Sequence, residues 1–316
     1  MIARLIAARL VDLVVVLFCV SVIVFFMIRL IPGDAVAIML GANTEVTPER
    51  VADLRARIGL DQPIVRQYLT WIGLALGGDL GRSLWTGRPV LDEIAVHVWP
   101  TLQLTSLSLL LGAGLAVPAG CLMAQLRGRL ADGVMRVLTV IGLTAPSFWI
   151  GIVMILTLAV LAPSVQALGY VPFGLDPLGN LARLLLPAIA LALPILANLS
   201  RLVRSAMLDA LQQDYIRTAR AKGVSESDVL YKHALRNALI PFVTSVGIMT
   251  GYLLGGAIIV EQVFAIPGLG RLILGAIAER NYPLLQATIL VVTCGFVIVN
   301  FAVDLLYLAI DPRVRA

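Results

Sequence analysis

The sequence predicts an all-α membrane protein with six transmembrane helices and a small extracytoplasmic cap between the first two. Three observations lead there. Hydrophobic residues fill 59% of the 316 positions and charged residues only 14%, whereas a soluble domain carries about 25% charged residues. The apolar residues come in long blocks rather than with the period of a half-buried surface. Charges collect between those blocks, as expected when a charge in mid-membrane costs at least about 2.5 kcal/mol.

Taken in order, Arg4 and Arg9 precede an apolar run from Val11 to Ile31 that only Arg29 interrupts. Ala35-Val36-Ala37 imitates a signal-peptide cleavage site. The run is too long for a signal core of about 7–15 residues, so a retained first span is expected. Further charge-free intervals lie between Glu93 and Arg127, Arg136 and Asp176, Arg183 and Arg201, Arg236 and Glu261, and Arg280 and Asp304. All but one hold a helix of about 20 residues with ease. The exception, Leu184 to Ser200, contains Pro187 and Pro194 and must borrow flanking residues or kink. The expected organisation is residues 1–31 as N-terminus and first span, 32–98 as the cap, and 99–316 as a core of spans two to six with an inner loop at 204–240.

Lys and Arg in short loops hold those loops in the cytoplasm. An even number of spans puts both termini on one side with the even-numbered loops, and that side carries 14 of the 24 basic residues and a net charge of +6, against −1 opposite. Both termini are therefore expected in the cytoplasm.

Several chemistries are excluded. No Gly-Lys pair occurs, so no G-x-x-x-x-G-K-[ST] phosphate loop exists. The two histidines, His97 and His233, lie far apart and cannot form a His-based metal or catalytic cluster. Ser106 and Ser108 have no base beside them. Cys19, Cys121 and Cys294 sit singly inside apolar blocks and read as small fillers. The net charge of +5 carries no basic run with interleaved aromatics, so nucleic acid is not expected. Asp12, Asp304 and Glu261 stand at span ends, where snorkelling explains them as well as proton transfer would, and Arg29 near the outer end of span one has the same snorkelling explanation.

What remains is the inner loop and the small-residue stripes. Asp214-Tyr215-Ile216-Arg217-Thr218-Ala219-Arg220-Ala221-Lys222-Gly223 is amphipathic and rich in small residues. It reads as a short helix ending before Gly223, with a second short helix opening at Ser225 as N-cap. It would either seat in a partner's groove or lie on lipid headgroups. Gly247, Gly251 and Gly255 form one four-residue stripe, and Gly112, Ala116 and Gly120 another. Such stripes allow close helix approach, at a subunit interface, on a pathway wall, or in ordinary packing within the chain.

The stretch Tyr215 to Gly223, followed by His233-Ala234-Leu235-Arg236-Asn237-Ala238-Leu239-Ile240-Pro241, resembles the cytoplasmic EAA loop of ABC importer permeases. It is similar in particular to the first permease type of the peptide and nickel branch. The resemblance runs almost end to end. It takes in Arg29-Leu30-Ile31-Pro32-Gly33-Asp34, Gly59-Leu60-Asp61-Gln62-Pro63, Gly78-Asp79-Leu80-Gly81, Pro146-Ser147-Phe148-Trp149, Ile266-Pro267-Gly268-Leu269-Gly270 and Asp311-Pro312-Arg313. Where the broad pattern has Glu-Ala-Ala, Arg217-Thr218-Ala219 stand here, and the first proline site holds Arg236, departures that fit the peptide branch.

The resemblance implies the type I ABC importer permease fold in a bacterial inner membrane and half of a pathway for di- or oligopeptides. It also implies a second homologous permease, two ATP-binding cassette ATPases that hold the ATP and Mg, and an extracytoplasmic substrate-binding protein. This chain would hold no cofactor or metal and catalyse nothing itself. Asp214 to Gly223 would receive the ATPase, while Gly247, Gly251, Gly255 and Pro146 to Trp149 are the packing or pathway candidates. A nickel or other small-chelate importer and an ATPase-independent channel are the alternative readings.

Overall fold

The computed structural model describes residues 2–30 and 61–310. Residues 32–60 of the expected cap, the Ala35-Val36-Ala37 site, the Ile31-Pro32-Gly33-Asp34 and Gly59-Leu60 parts of their motifs, and Asp311-Pro312-Arg313 lie outside the described residues. Among the described residues the structure is helical apart from turns and one isolated bridge, Arg82 to Pro89.

The helices are α1 (Ile2–Leu30), α2 (Ile64–Leu76), α3 (Val90–Gln125), α4 (Leu130–Thr144), α5 (Ser147–Leu161), α6 (Pro177–Leu211), α7 (Asp214–Ala221), α8 (Leu235–Val263), α9 (Leu269–Ala278) and α10 (Tyr282–Ile310). Helix is the form a lipid-exposed segment must take, because the bilayer offers backbone N–H and C=O groups no partner. Among the described residues four helices are long and apolar enough to cross a membrane, and the number rises to six if each of two bent pairs is one span.

The first bent pair departs from the single helix expected between Arg136 and Asp176. α4 and α5 meet at 105°. Pro146 causes the break: its ring disfavours the α region for the residue before it, and Ala145 is extended at ψ 124°. The second departure lies after Ser225. Its hydroxyl accepts from Asp228 N at 3.2 Å, as an N-cap should. The turn Glu226–Asp228, however, runs through a π-helical stretch, Val229–Ala234, straight into α8. No second short helix stands apart.

The described residues divide into two compact bodies: those within 1–99 together with 268–297, and those within 100–267 together with 298–316. Tertiary contact thus places 268–297 with the first span.

In the first body, Val24, Val90, Ile94, Leu269, Leu284 and Leu285 form the apolar core. The loop before α3 is tied to the turn between α9 and α10. Buried Asn281 donates from Nδ2 to Ser83 Oγ at 2.8 Å and accepts from Leu84 N at 3.2 Å, while Trp85 Nε1 donates to the Glu279 carbonyl at 2.8 Å. Arg280, at φ 52°, turns that corner in the left-handed region.

The second body is organised on α6. Asp176 caps its start, accepting from Gly179 N at 3.0 Å, and Pro177 occupies the first helical position. Pro187 and Pro194 remain inside the helix, each removing one ladder hydrogen bond. α6 packs against α4, α5 and α8. α3 also approaches it closely: a Cβ on Gly120 would lie 2.6 Å from Val203 Cβ and 2.7 Å from the Ser200 carbonyl oxygen, and one on Gly112 would lie 2.9 Å from Ile195 Cβ. The Gly112, Ala116, Gly120 stripe is therefore packing within the chain. α4 is fastened to α6 by Asp132, only 1% exposed, which accepts from Arg204 Nε and Nη2 at 3.0 and 2.9 Å.

Two outcomes are expected. Gly120→Val forces α3 off α6 and destabilises the chain by about 1–3 kcal/mol or more, read as a lowered melting temperature in detergent; an unchanged melt overturns the close-packing assignment. Asp132→Asn strips Arg204 of its carboxylate and costs about 2–3 kcal/mol. That is less than the 3–5 typical of fully buried pairs, because Arg204 keeps 20% of its side chain exposed.

Candidate functional site

The inner loop is a short helix on a built foundation. In α7, Ile216 is fully buried and Ala219 nearly so, and both pack with Val229, Leu211 and Val224. Asp214, Arg217, Thr218 and Ala221 share the opposite face and are exposed, as the spacing i, i+3, i+4, i+7 requires. The small residue offered outward is thus Ala221. Ala219 lies three positions after Ile216 and faces the chain's own core.

Both ends of α7 are held. Gly223 N bonds the Arg220 carbonyl at 2.9 Å and Val224 N the Ala219 carbonyl at 3.2 Å. With Gly223 at φ 81° this is a Schellman closure, in which glycine takes the left-handed position at no steric cost. Arg220 Nε and Nη2 donate to the two carboxylate oxygens of Glu226 at 2.6 and 3.1 Å, fastening the helix end to the next turn. The carboxylate holds the Arg220 guanidinium above its ordinary pKa. Asn237 Nδ2 donates to the Tyr215 hydroxyl at 2.7 Å, linking α7 to the first turn of α8. Asn237 carried no signal of its own in the sequence beyond standing inside the recognised stretch.

The pathway candidates separate. Pro146 and Ser147 line a cavity of about 450 Å³ with Pro194 and Asn198 of α6 and Tyr252 and Gly256 of α8. Trp149 lines a different, apolar cavity of about 420 Å³ with Met123, Met135 and Ser200. Phe148 lines neither. Gly247 is packed inside the chain, since a Cβ there would fall 2.0 Å from Val303 Cγ1. Gly251 is buried and Gly255 exposed, with open space where its Cβ would be. Sequence reading overlooked Asn198 and Tyr252. The signal available for Asn198 was one amide within an apolar stretch, one turn after Pro194.

Glu261 corrects an expectation. It does not snorkel: it is 0% exposed and accepts from Thr101 Oγ1 at 2.6 Å. It stands where α8 ends in a second Schellman closure, with Ile266 N on the Glu261 carbonyl at 2.9 Å and Ala265 at φ 56°. Arg29 likewise folds back, donating to the Phe25 carbonyl and to Gln67 Oε1.

Comparison with known proteins identifies the chain. Residues 116–316 match the family model "Binding-protein-dependent transport system inner membrane component", and residues 1–105 match the model of the N-terminal part of such components. The glutathione transport system permease protein GsiC of Escherichia coli strain K12 is 40% identical over 308 residues, covering 97% of each chain. A putative peptide transport system permease protein of Brucella melitensis is 41% identical over 320 residues, covering 100% of this chain and 99% of that one. Among solved structures, an inward-facing MetNI methionine ABC transporter chain aligns with TM-score 0.57 at 20% identity, covering 70% of this chain and 97% of that one.

The Schellman closure makes a prediction. Gly223→Ala places a Cβ in the left-handed region with open space around it, so the cost is backbone strain alone, about 1–2 kcal/mol. Faster amide exchange confined to 214–224 is the expected readout; unchanged exchange there overturns the assignment.

Proposed function

The chain belongs to the binding-protein-dependent transport system inner membrane component family, and from that premise we propose that it forms half of the membrane pathway of an ATP-driven importer of di- and oligopeptides. A second homologous permease completes the pathway. Two ATP-binding cassette ATPases, which hold ATP and Mg, drive it, and a binding protein delivers cargo from outside. The names of the 40% and 41% identical relatives, for glutathione and for peptide, support a short-peptide cargo over nickel or another chelate. Glutathione is itself a tripeptide.

The observation that carries the coupling role is α7: an exposed polar face, Asp214, Arg217, Thr218 and Ala221, on a base immobilised by Ile216, Val229 and the Tyr215–Asn237 bond. A helix that must pass movement from an ATPase to the spans needs both properties, since a loose loop would absorb the displacement. The movement reaches the spans through the unbroken run from Ser225 into α8. In this reading both termini and the loop 204–240 are cytoplasmic, and 32–98 form the outer cap. The cavity of Pro146, Ser147, Asn198 and Tyr252 is the stretch of pathway wall this chain supplies. Alternating access then follows from ligand-biased switching between two packings of the helices.

Ala221→Trp tests the docking role without straining α7, because its side chain points away from the chain's own core. Uptake of a labelled tripeptide should fall at least about tenfold and the ATPases should no longer copurify, while the melting temperature of the permease stays unchanged. Retention of both uptake and copurification removes the docking role.

A further inference from the structure

In the first body, α1, α2 and the beginning of α10 border a cavity of about 260 Å³ whose lining includes Arg29, Trp71, Asp79 and Gln286. Three of these side chains carry hydrogen-bond donors. Trp71 Nε1 and Gln286 Nε2 are buried and meet no acceptor, and Gln286 is 3% exposed. Groups so placed are ordinarily satisfied, because a buried donor left without a partner forfeits its hydration. Arg29 joins them. Its guanidinium lies 3.4 Å from the centroid of the Phe25 ring. Its hydrogen bonds run to neutral acceptors, the Phe25 carbonyl at 2.9 Å and Gln67 Oε1 at 3.0 and 3.1 Å. Those bonds use three of its five N–H groups. A half-buried cation beside two idle donors fits an anionic oxygen group, and a guanidinium fits phosphate better than any other side chain does.

A second cavity identifies the source of that group. It measures about 420 Å³, lies between the same three helices, and is lined by Val14, Leu17, Phe18, Ala75, Leu290 and Val291 among others. Leu80 lines both cavities. Along α10 the lining passes from Gln286 to Leu290 in one turn, and along α1 from Arg29 to Ser21 in about two turns. Polar donors at one end and an apolar slot continuing from them are the two halves of an amphiphile. The exposed Asp79 at the polar end has one carboxylate oxygen engaged by Gly81 N at 2.8 Å and suits the ammonium of a zwitterionic headgroup.

We propose that α1, α2 and α10 hold one phospholipid, its phosphate on Arg29, Trp71 and Gln286 and an acyl chain in the adjoining apolar cavity. The lipid acts as a structural ligand that fills the outer end of this helix cluster. The site shares no residue with the candidate docking helix or the pathway wall, so the inference does not rest on the cargo or on the partners.

The test uses the full-length chain purified with its partner subunits in mild detergent and stripped of lipid. Dioctanoyl phosphatidylethanolamine should raise the melting temperature and remain bound in native mass spectra. Glycerophosphoethanolamine, the same headgroup without chains, should protect at least about tenfold more weakly. Trp71→Phe with Gln286→Leu keeps ring and bulk while deleting both donors, and should weaken lipid binding about tenfold or more. Equal protection by the chain-free headgroup would assign the cavity to a free anion and overturn the proposal. So would lipid affinity unchanged in the double variant, or no retained lipid in the wild type. The two wild-type arms decide the matter even if the double variant does not fold. None of these readouts depends on uptake, so they stand or fall separately from the transport reading.

Discussion

Gly112 and Gly120 bring the backbone of α3 so close to α6 that no side chain fits between them, and the second body is arranged around that contact. In lipid, helices gain nothing from hiding apolar surface from one another, since the surroundings are equally apolar. Association depends on dispersion and on polar pairs, and both are available only at short range. α3 approaches α6 closely at these glycines, and α4, α5 and α8 also pack on α6. The Asp132–Arg204 pair holds α4 to one end of α6, and the Tyr170 hydroxyl and Asn180 amide both donate to Gln103 Oε1 near the other, at 2.8 and 3.3 Å.

The same framework explains why the exposed helix α7 is firm. Its buried side, Ile216 and Ala219, rests on Val229 and on Leu211 at the end of α6. Its far end is closed by Gly223 and the Arg220–Glu226 pair. Rigidity here is a matter of few but well-placed contacts, because an eight-residue helix in water is too short to persist by itself. Function as a coupling element would rest on that support as much as on the residues presented to a partner.

Buried and half-buried polar groups mark the places where the chain departs from a plain bundle. Asn281 fastens a loop to a helix corner, Glu261 ends α8 without reaching solvent, and Arg29 turns back onto Gln67 and Phe25. Each is a charge or amide at the edge of an apolar block, and composition alone treats them alike. Their surroundings give them different roles: Asn281 is satisfied within the chain, whereas Trp71 and Gln286 keep donors to spare.

Read by itself, the sequence determined the helical class, the apolar blocks, the family resemblance, the N-cap at Ser225 and the closure at Gly223. These depend on local chemistry: an apolar run in lipid must be helical, and a left-handed residue after a helix calls for glycine. It could not distinguish the stripe at Gly112 to Gly120, packed inside the chain, from Gly255, which is open. Nor could it show that Pro146 turns one expected span through 105°, that Glu261 is buried, or that Pro146 and Ser147 share a cavity with Asn198 while Trp149 does not. Those outcomes depend on which helix lies opposite. That choice is made by close packing and polar pairing between residues as distant as Asp132 and Arg204, and only the folded chain brings them within 3 Å.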